Sequence, residues 1–259
     1  MVLQEQVRVE LKRMLNKRNV IIWTSVVLFP IAYFFVIKDQ YVFYRYIEIF
    51  LRLYSGGISL FFPILMVLLY AVHFLDEKKN RFLLYAQARV SLSHYFFSKI
   101  IANAIASFVI SFLMMFIPFI FCMYIVPKLE LVSLYEHLNN PIPYTTFEQL
   151  LSLGTLSYGL IYATWVGLNG MLYATFGLVL VMLMDKMLVA FFTPFIYYLL
   201  GTFFAQIVGL DQFAPDVSIF PFRIFQQPMW TVLVPFFLLT FIVSALFARV
   251  KGRVDEMYV

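Results

Sequence analysis

Charged and apolar positions divide this chain into six uninterrupted apolar runs, at about 19–37, 57–75, 100–126, 157–184, 187–209 and 229–248. Each is close to or beyond the ~20 residues a helix needs to cross the hydrocarbon core of a bilayer. None contains Asp, Glu, Lys or Arg, each of which would cost about 2.5–3.5 kcal/mol at a helix centre. A backbone in lipid must satisfy its own hydrogen bonds, so runs of this length predict helices. The pattern therefore predicts an all-α integral membrane protein with six transmembrane helices.

Composition agrees with the pattern. Charged residues make up 13% of the 259 and hydrophobic ones 63%, with a mean hydropathy of +0.88, against about 25% charged in ordinary soluble domains. With most of the chain committed to lipid, the remainder is too small for a soluble catalytic domain, and the chain reads as one transmembrane domain over 1–259. A net charge of +5 would suggest nucleic acid in a soluble protein. Here it reports orientation, and no nucleic-acid partner is expected. Of the Lys and Arg residues, 14 fall on one set of alternating loops and 5 on the other, while the acids divide 7 and 7. The positive-inside rule then places both termini in the cytoplasm of a cell membrane.

The linkers carry their own signals. Leu3, Val7, Leu11 and Met14 recur at helical spacing, with Arg8, Lys12 and Lys17 off that stripe. A basic amphipathic helix over 1–18 belongs in the membrane interface; it reads equally as an anchor or as an elbow that also touches a cytoplasmic partner. No small-residue cleavage pattern follows 19–37, which is expected to be a retained anchor. Residues 38–56 form an external aromatic loop, with Tyr41, Phe43, Tyr44, Tyr46 and Phe50 expected at headgroup level. In the external segment 127–156, Asn139 to Pro143 mark a turn. Thr145 and Glu148 then offer a capping box for a helix leading into the fourth span. The proline-broken external segment 210–228 is expected to dip back into the membrane under protein cover.

Two stripes mark the fourth span. Gly159, Ala163, Gly167, Gly170, Ala174 and Gly177 make a small-residue face for close helix approach. Beside it run Tyr158, Tyr162, Trp165, Asn169 and Tyr173. Asn169 either bonds across a helix interface, the plainer account, or borders a cavity. Tyr198, Thr202 and Gln206 form a polar row on the fifth span. Pro30, Pro63, Pro118, Pro194 and Pro235 place a proline in every span but the fourth, as kinks that suit a hinged bundle. Cys122 reads as a small packed thiol.

Recognisable catalytic chemistry is missing. No phosphate-binding loop or paired metal-ligating histidine motif is present, and no metal or other cofactor is expected. Mid-span carboxylates, which ion-driven carriers need, are absent as well. Energy for uphill transport would come from a partner. The cytoplasmic loop 76–99 is where a partner would dock: charges at Asp76, Glu77, Arg81, Arg89 and Lys99 surround a short amphipathic helix bearing Phe82 and Tyr85. The plainer alternative is a loop that hugs the membrane.

Asp76-Glu77, Arg89-Val90-Ser91 and Ser98-Lys99 resemble the loop between spans two and three in type-2 permeases of ATP-binding-cassette (ABC) exporters, with Asn80-Arg81-Phe82 where Gly-Thr commonly follows the acids. That resemblance implies a dimeric permease, homo- or heteromeric, with an elbow helix and with two cytoplasmic ABC ATPase subunits docked through a coupling helix at 80–90. The substrate route would lie between protomers, bordered by spans two and five, with Asn169, Tyr173, Tyr198, Thr202 and Gln206 as candidate pathway residues. An amphipathic cargo such as a hydrophobic peptide, toxin or lipid-like molecule would suit so aromatic a chain. The alternative is a membrane-embedded immunity or assembly factor that binds a partner and translocates nothing. An intramembrane enzyme is a third reading, disfavoured by the lack of suitable buried groups.

Overall fold

The computed structural model describes residues 2–70, 74–75, 77, 91–135, 144–145, 147–184, 186–223 and 225–256. The predicted coupling helix, with Asp76, Arg81, Phe82, Tyr85 and Arg89, lies outside them, as does the turn at 139–143. The described residues are helical throughout, apart from loops and one isolated β-bridge between Thr145 and Phe225.

An N-terminal helix α1 (Val2–Met14) leads into α2 (Lys17–Ile37). Asn16 separates the two: its Oδ1 accepts the Asn19 amide at 2.8 Å, satisfying one of the donors that a helix start leaves open. Next come α3 (Tyr46–Tyr54) and α4 (Gly57–Leu68), then the long α5 (Leu92–Ile120). Ser91 caps α5 by accepting the His94 amide. After Pro118 the helix widens into a π-helical turn at Phe121–Ile125, where Cys122 is fully buried. Proline removes one backbone donor, and widened turns commonly absorb such a loss. The remaining long helices are α6 (Thr155–Leu183), α7 (Met187–Ile207) and α9 (Leu233–Glu256), with a short α8 (Pro215–Ile219) between the last two. Pro235 falls in the first turn of α9, where its missing N–H costs little.

Five helices are long and apolar enough to cross a membrane, and α3 with α4 makes a sixth if that pair, bent by 54°, is one span. The bend lies at Ser55–Gly56, ahead of the second apolar run, of which α4 covers Gly57–Leu68. The segment before that run departs from expectation. Residues 46–54 form a helix instead of a headgroup loop, and Phe43, Ile47, Ile49, Phe50, Leu53 and Tyr54 are buried in protein. Glu48 and Arg52, one turn apart, keep one polar edge on α3, with Arg52 exposed, and the apolar remainder of the helix packs inward. Its Tyr54 hydroxyl donates to the Met114 carbonyl of α5.

Helix α6 is the centre of the bundle, packed against α4, α5, α7 and α9. Lipid tails are as apolar as leucine, so helix association here depends on close packing and hydrogen bonds. The small-residue stripe serves that purpose. A Cβ on Gly159 would collide with the Phe119 ring, and one on Gly170 with Ser111. The α5 side answers with its own buried polar row, Asn103, Ser107 and Ser111, at steps of four. Ser107 Oγ donates to Asn103 Oδ1 and Ser111 Oγ to the Ser107 carbonyl.

At one end of the bundle the connecting segments knit together. Glu148 does reach back to Thr145, accepting its amide at 3.0 Å and its hydroxyl at 2.8 Å. The reciprocal half of the predicted box is missing: the Glu148 amide donates to the Thr145 carbonyl, the 3-10 segment Glu148–Leu153 starts after Phe147 with no side-chain cap, and Gly154 separates it from α6. Within 210–228, α8 and Phe220 are buried in protein. Trp165 Nε1 donates to the Ser218 carbonyl, and Ser218 Oγ to that of Val232.

Candidate functional site

Three elements meet at the base of α5. Helix α1 turns Glu10 and Met14 inward, where both are buried. Lys99 lies two turns beyond the Ser91 cap, on the α5 face that meets α1. Its Nζ donates to Glu10 Oε2 at 2.9 Å and also pairs with Glu77 Oε2. Tyr95, one turn earlier, donates its hydroxyl to the same Glu77 oxygen at 2.9 Å. Arg13 completes the set, 3.4 Å from Glu10 and 3.9 Å from Glu77. The ammonium also lies 4.8 Å from the Tyr95 ring centroid and 5.9 Å from that of Phe74.

Lys99 has no exposed surface. A charge so enclosed is tolerable only with opposite charge and hydrogen bonds around it. Two carboxylates and two aromatic faces supply both, and Arg13 balances the second acid. Ionisable groups are thus present in the interior: Glu10, Lys99, Glu148 and Asp216 are all buried. They sit near the ends of the spans, and the mid-span positions remain uncharged.

This arrangement changes what Glu77 and Lys99 offer a partner. They do not present free charges. They tie the two stems of the 78–90 segment to each other and to α1. Glu10 was not among the candidate residues. The one clue to it is that a lysine at the very edge of an apolar run needs an acid, and α1 carries only Glu5 and Glu10.

At the opposite end, Arg45 joins Glu48 at 3.0 Å and Glu148 at 2.8 Å, and stands 5.2 Å from the Tyr144 ring centroid. Burial works against the guanidinium charge, but Glu48 and Glu148 outweigh it and push its pKa above the ordinary arginine value. This cluster fastens the chain ahead of α3 to the segment ahead of α6.

Between the two clusters lie the candidate pathway residues. Tyr173 of α6 and Tyr198 of α7 meet edge to face, with centroids 6.1 Å apart. The Tyr198 hydroxyl donates to the Ser59 carbonyl of α4 at 2.7 Å, and Phe62 stands edge-on to Tyr173. Asn169 is buried and donates within its own helix to the Trp165 carbonyl at 3.0 Å. Thr202 Oγ1 accepts the Asp216 amide at 3.3 Å. Gln206 is exposed, so the Tyr198–Thr202–Gln206 row runs from the core out to the surface. Within the chain Asn169, Tyr173 and Tyr198 come together as packing, Thr202 braces α8, and Gln206 stands apart. Compared with protein-family models, curated proteins and solved structures, the chain has no match.

Proposed function

We propose that the chain is the membrane-spanning permease subunit of an ABC exporter, coupling ATP hydrolysis by separate cytoplasmic ATPase subunits to export of an amphipathic substrate. Both termini and the 76–99 segment then face the cytoplasm, and a second permease completes the transporter. The observation that carries this reading is the Lys99–Glu77–Tyr95 bridge. It joins both stems of 78–90, so force applied there by a docked ATPase would pass into α5 and, through Glu10, into α1. The excess of basic residues on that side and the close packing of α5 on α6 fit a bundle that moves as a unit. The absence of mid-span carboxylates from the sequence supports a supply of energy by an ATPase partner.

Affinity purification of the full-length chain tests the proposal. An ATPase subunit should co-purify, and Arg89→Glu or Phe82→Ala should abolish efflux. Recovery of no ATPase, with efflux untouched by either substitution, refutes it. A second reading, a membrane-embedded immunity or assembly factor, is favoured by the way Tyr173 and Tyr198 close on each other inside one protomer. It predicts that Gln206→Leu and Asn169→Leu leave every substrate profile unchanged in folded protein, whereas the exporter reading predicts altered selectivity.

A further inference from the structure

The turn between α1 and α2 collects positive charge that the fold leaves unanswered. From Val2 to Arg18 the chain has five basic residues and two acids. Glu10 is turned into the bundle, where it meets Lys99 and Arg13, and Arg13 also faces Glu77. The other four basic residues, Arg8, Lys12, Lys17 and Arg18, are exposed and make no ion pair among the described residues. Glu5 is the one exposed acid of the segment. We propose that these four side chains form a binding surface for the headgroups of anionic phospholipids. The proposal needs the apolar helices to cross a bilayer and rests on nothing in the transport reading.

Depth and direction select that partner. Lys17 and Arg18 open α2, and Val20, Ile21 and Ile22 follow as exposed apolar side chains of a helix long enough to span. A basic residue there reaches back to the polar boundary of the bilayer, because its charge is costly in hydrocarbon. Leu15, in the middle of the cationic turn, is 64% exposed, as suits an apolar side chain that dips below the headgroups. On α1, Arg8 and Lys12 stand one turn apart, opposite the face of Glu10 and Met14, and the Glu10–Lys99 pair holds them turned away from the bundle. A zwitterionic headgroup brings its own ammonium and leaves the four charges uncompensated; an anionic one does not. Each basic residue close to an anionic surface strengthens association by up to about fivefold. An acidic protein would have to reach the same charges where α2 enters lipid, among headgroups already there.

Two tryptophans make the test possible. Trp23 is half-buried on α2 within two turns of Lys17, and Trp230 is exposed near the other end of the bundle. The full-length chain is reconstituted into phosphatidylcholine vesicles that contain either phosphatidylglycerol or phosphatidylcholine brominated near the headgroup end of an acyl chain. The fluorescence lost in Trp23→Phe or in Trp230→Phe isolates each reporter. At low salt the brominated phosphatidylglycerol should quench Trp23 several-fold more effectively than the brominated phosphatidylcholine, with no difference at Trp230. The preference should fall several-fold at about 1 M NaCl, where the Debye length is about 3 Å. Lys12→Gln with Lys17→Gln should lower it to a similar degree, and Lys12→Arg with Lys17→Arg should retain it, which separates charge from packing. An equal preference at both tryptophans would overturn the proposal, as would one unchanged by salt or by Lys12→Gln with Lys17→Gln. Its loss in Lys12→Arg with Lys17→Arg would also overturn it. No preference at Trp23 in the unaltered chain would do the same and leave the cationic turn to an acidic protein surface.

Discussion

Lys99 on α5 and Glu10 on α1 are 89 positions apart in sequence and joined at 2.9 Å, with the lysine wholly enclosed. The first helix is thereby fixed to the bundle, and whatever moves the base of α5 moves α1 with it.

Lys99→Met should leave Glu10 and Glu77 with only the half-exposed Arg13 as a shared counter-charge. A loss of about 3–5 kcal/mol is expected from removing one partner of a buried ion pair, read as a lower unfolding temperature in detergent micelles. Glu10→Gln should cost less, because Glu77 still holds the ammonium. Equal losses would mean that Glu77 contributes nothing.

The α5–α6 contact predicts a contrast between glycines. Gly170→Val forces a branched side chain into Ser111 and should destabilise the protein by at least the ~1–3 kcal/mol typical of overpacking. Gly57→Ala adds a methyl where nothing stands within 4 Å, and its effect on thermal stability should be close to neutral.

Arg45 serves two carboxylates through separate guanidinium nitrogens, Nε to Glu48 and an Nη to Glu148. Arg45→Lys keeps the charge but lacks that fork. Hydrogen exchange at the backbone of 147–153 should quicken in this variant, and more so in Arg45→Met. Exchange at the base of α5 should not change in either.

Tyr198→Phe removes the hydroxyl that donates to the Ser59 carbonyl, whose i+4 position is Pro63 and offers no N–H, while keeping the ring against Tyr173. Leaving that buried acceptor unpaired should cost about 1–3 kcal/mol. Gln206→Leu, at an exposed position, should not alter stability, so any change it causes in a substrate profile would be a change in function.

The long spans were legible because a bilayer enforces one rule along the whole run: no charge and no unpaired backbone. The stripe from Gly159 to Gly177 was legible for a related reason, since close helix approach repeats every turn and leaves a period. Helix α3 was missed because its nine residues are too few to span, and aromatic residues suit a headgroup loop as well as a buried turn. The ion clusters were missed because they join distant segments. Nothing near Lys99 in sequence points to Glu10, nor does Arg45 announce Glu148, 103 positions away. Pairings of that kind exist only once the helices are assembled.

Helix α4 has 12 residues, which at 1.5 Å each make a rod of about 18 Å. A 54° bend separates it from α3, so the two cannot both lie along one membrane normal. The tilt of the bundle therefore has to be set by the unbroken helices around this pair, and any change in the bend would reach the lipid as a change in the slope of one flank.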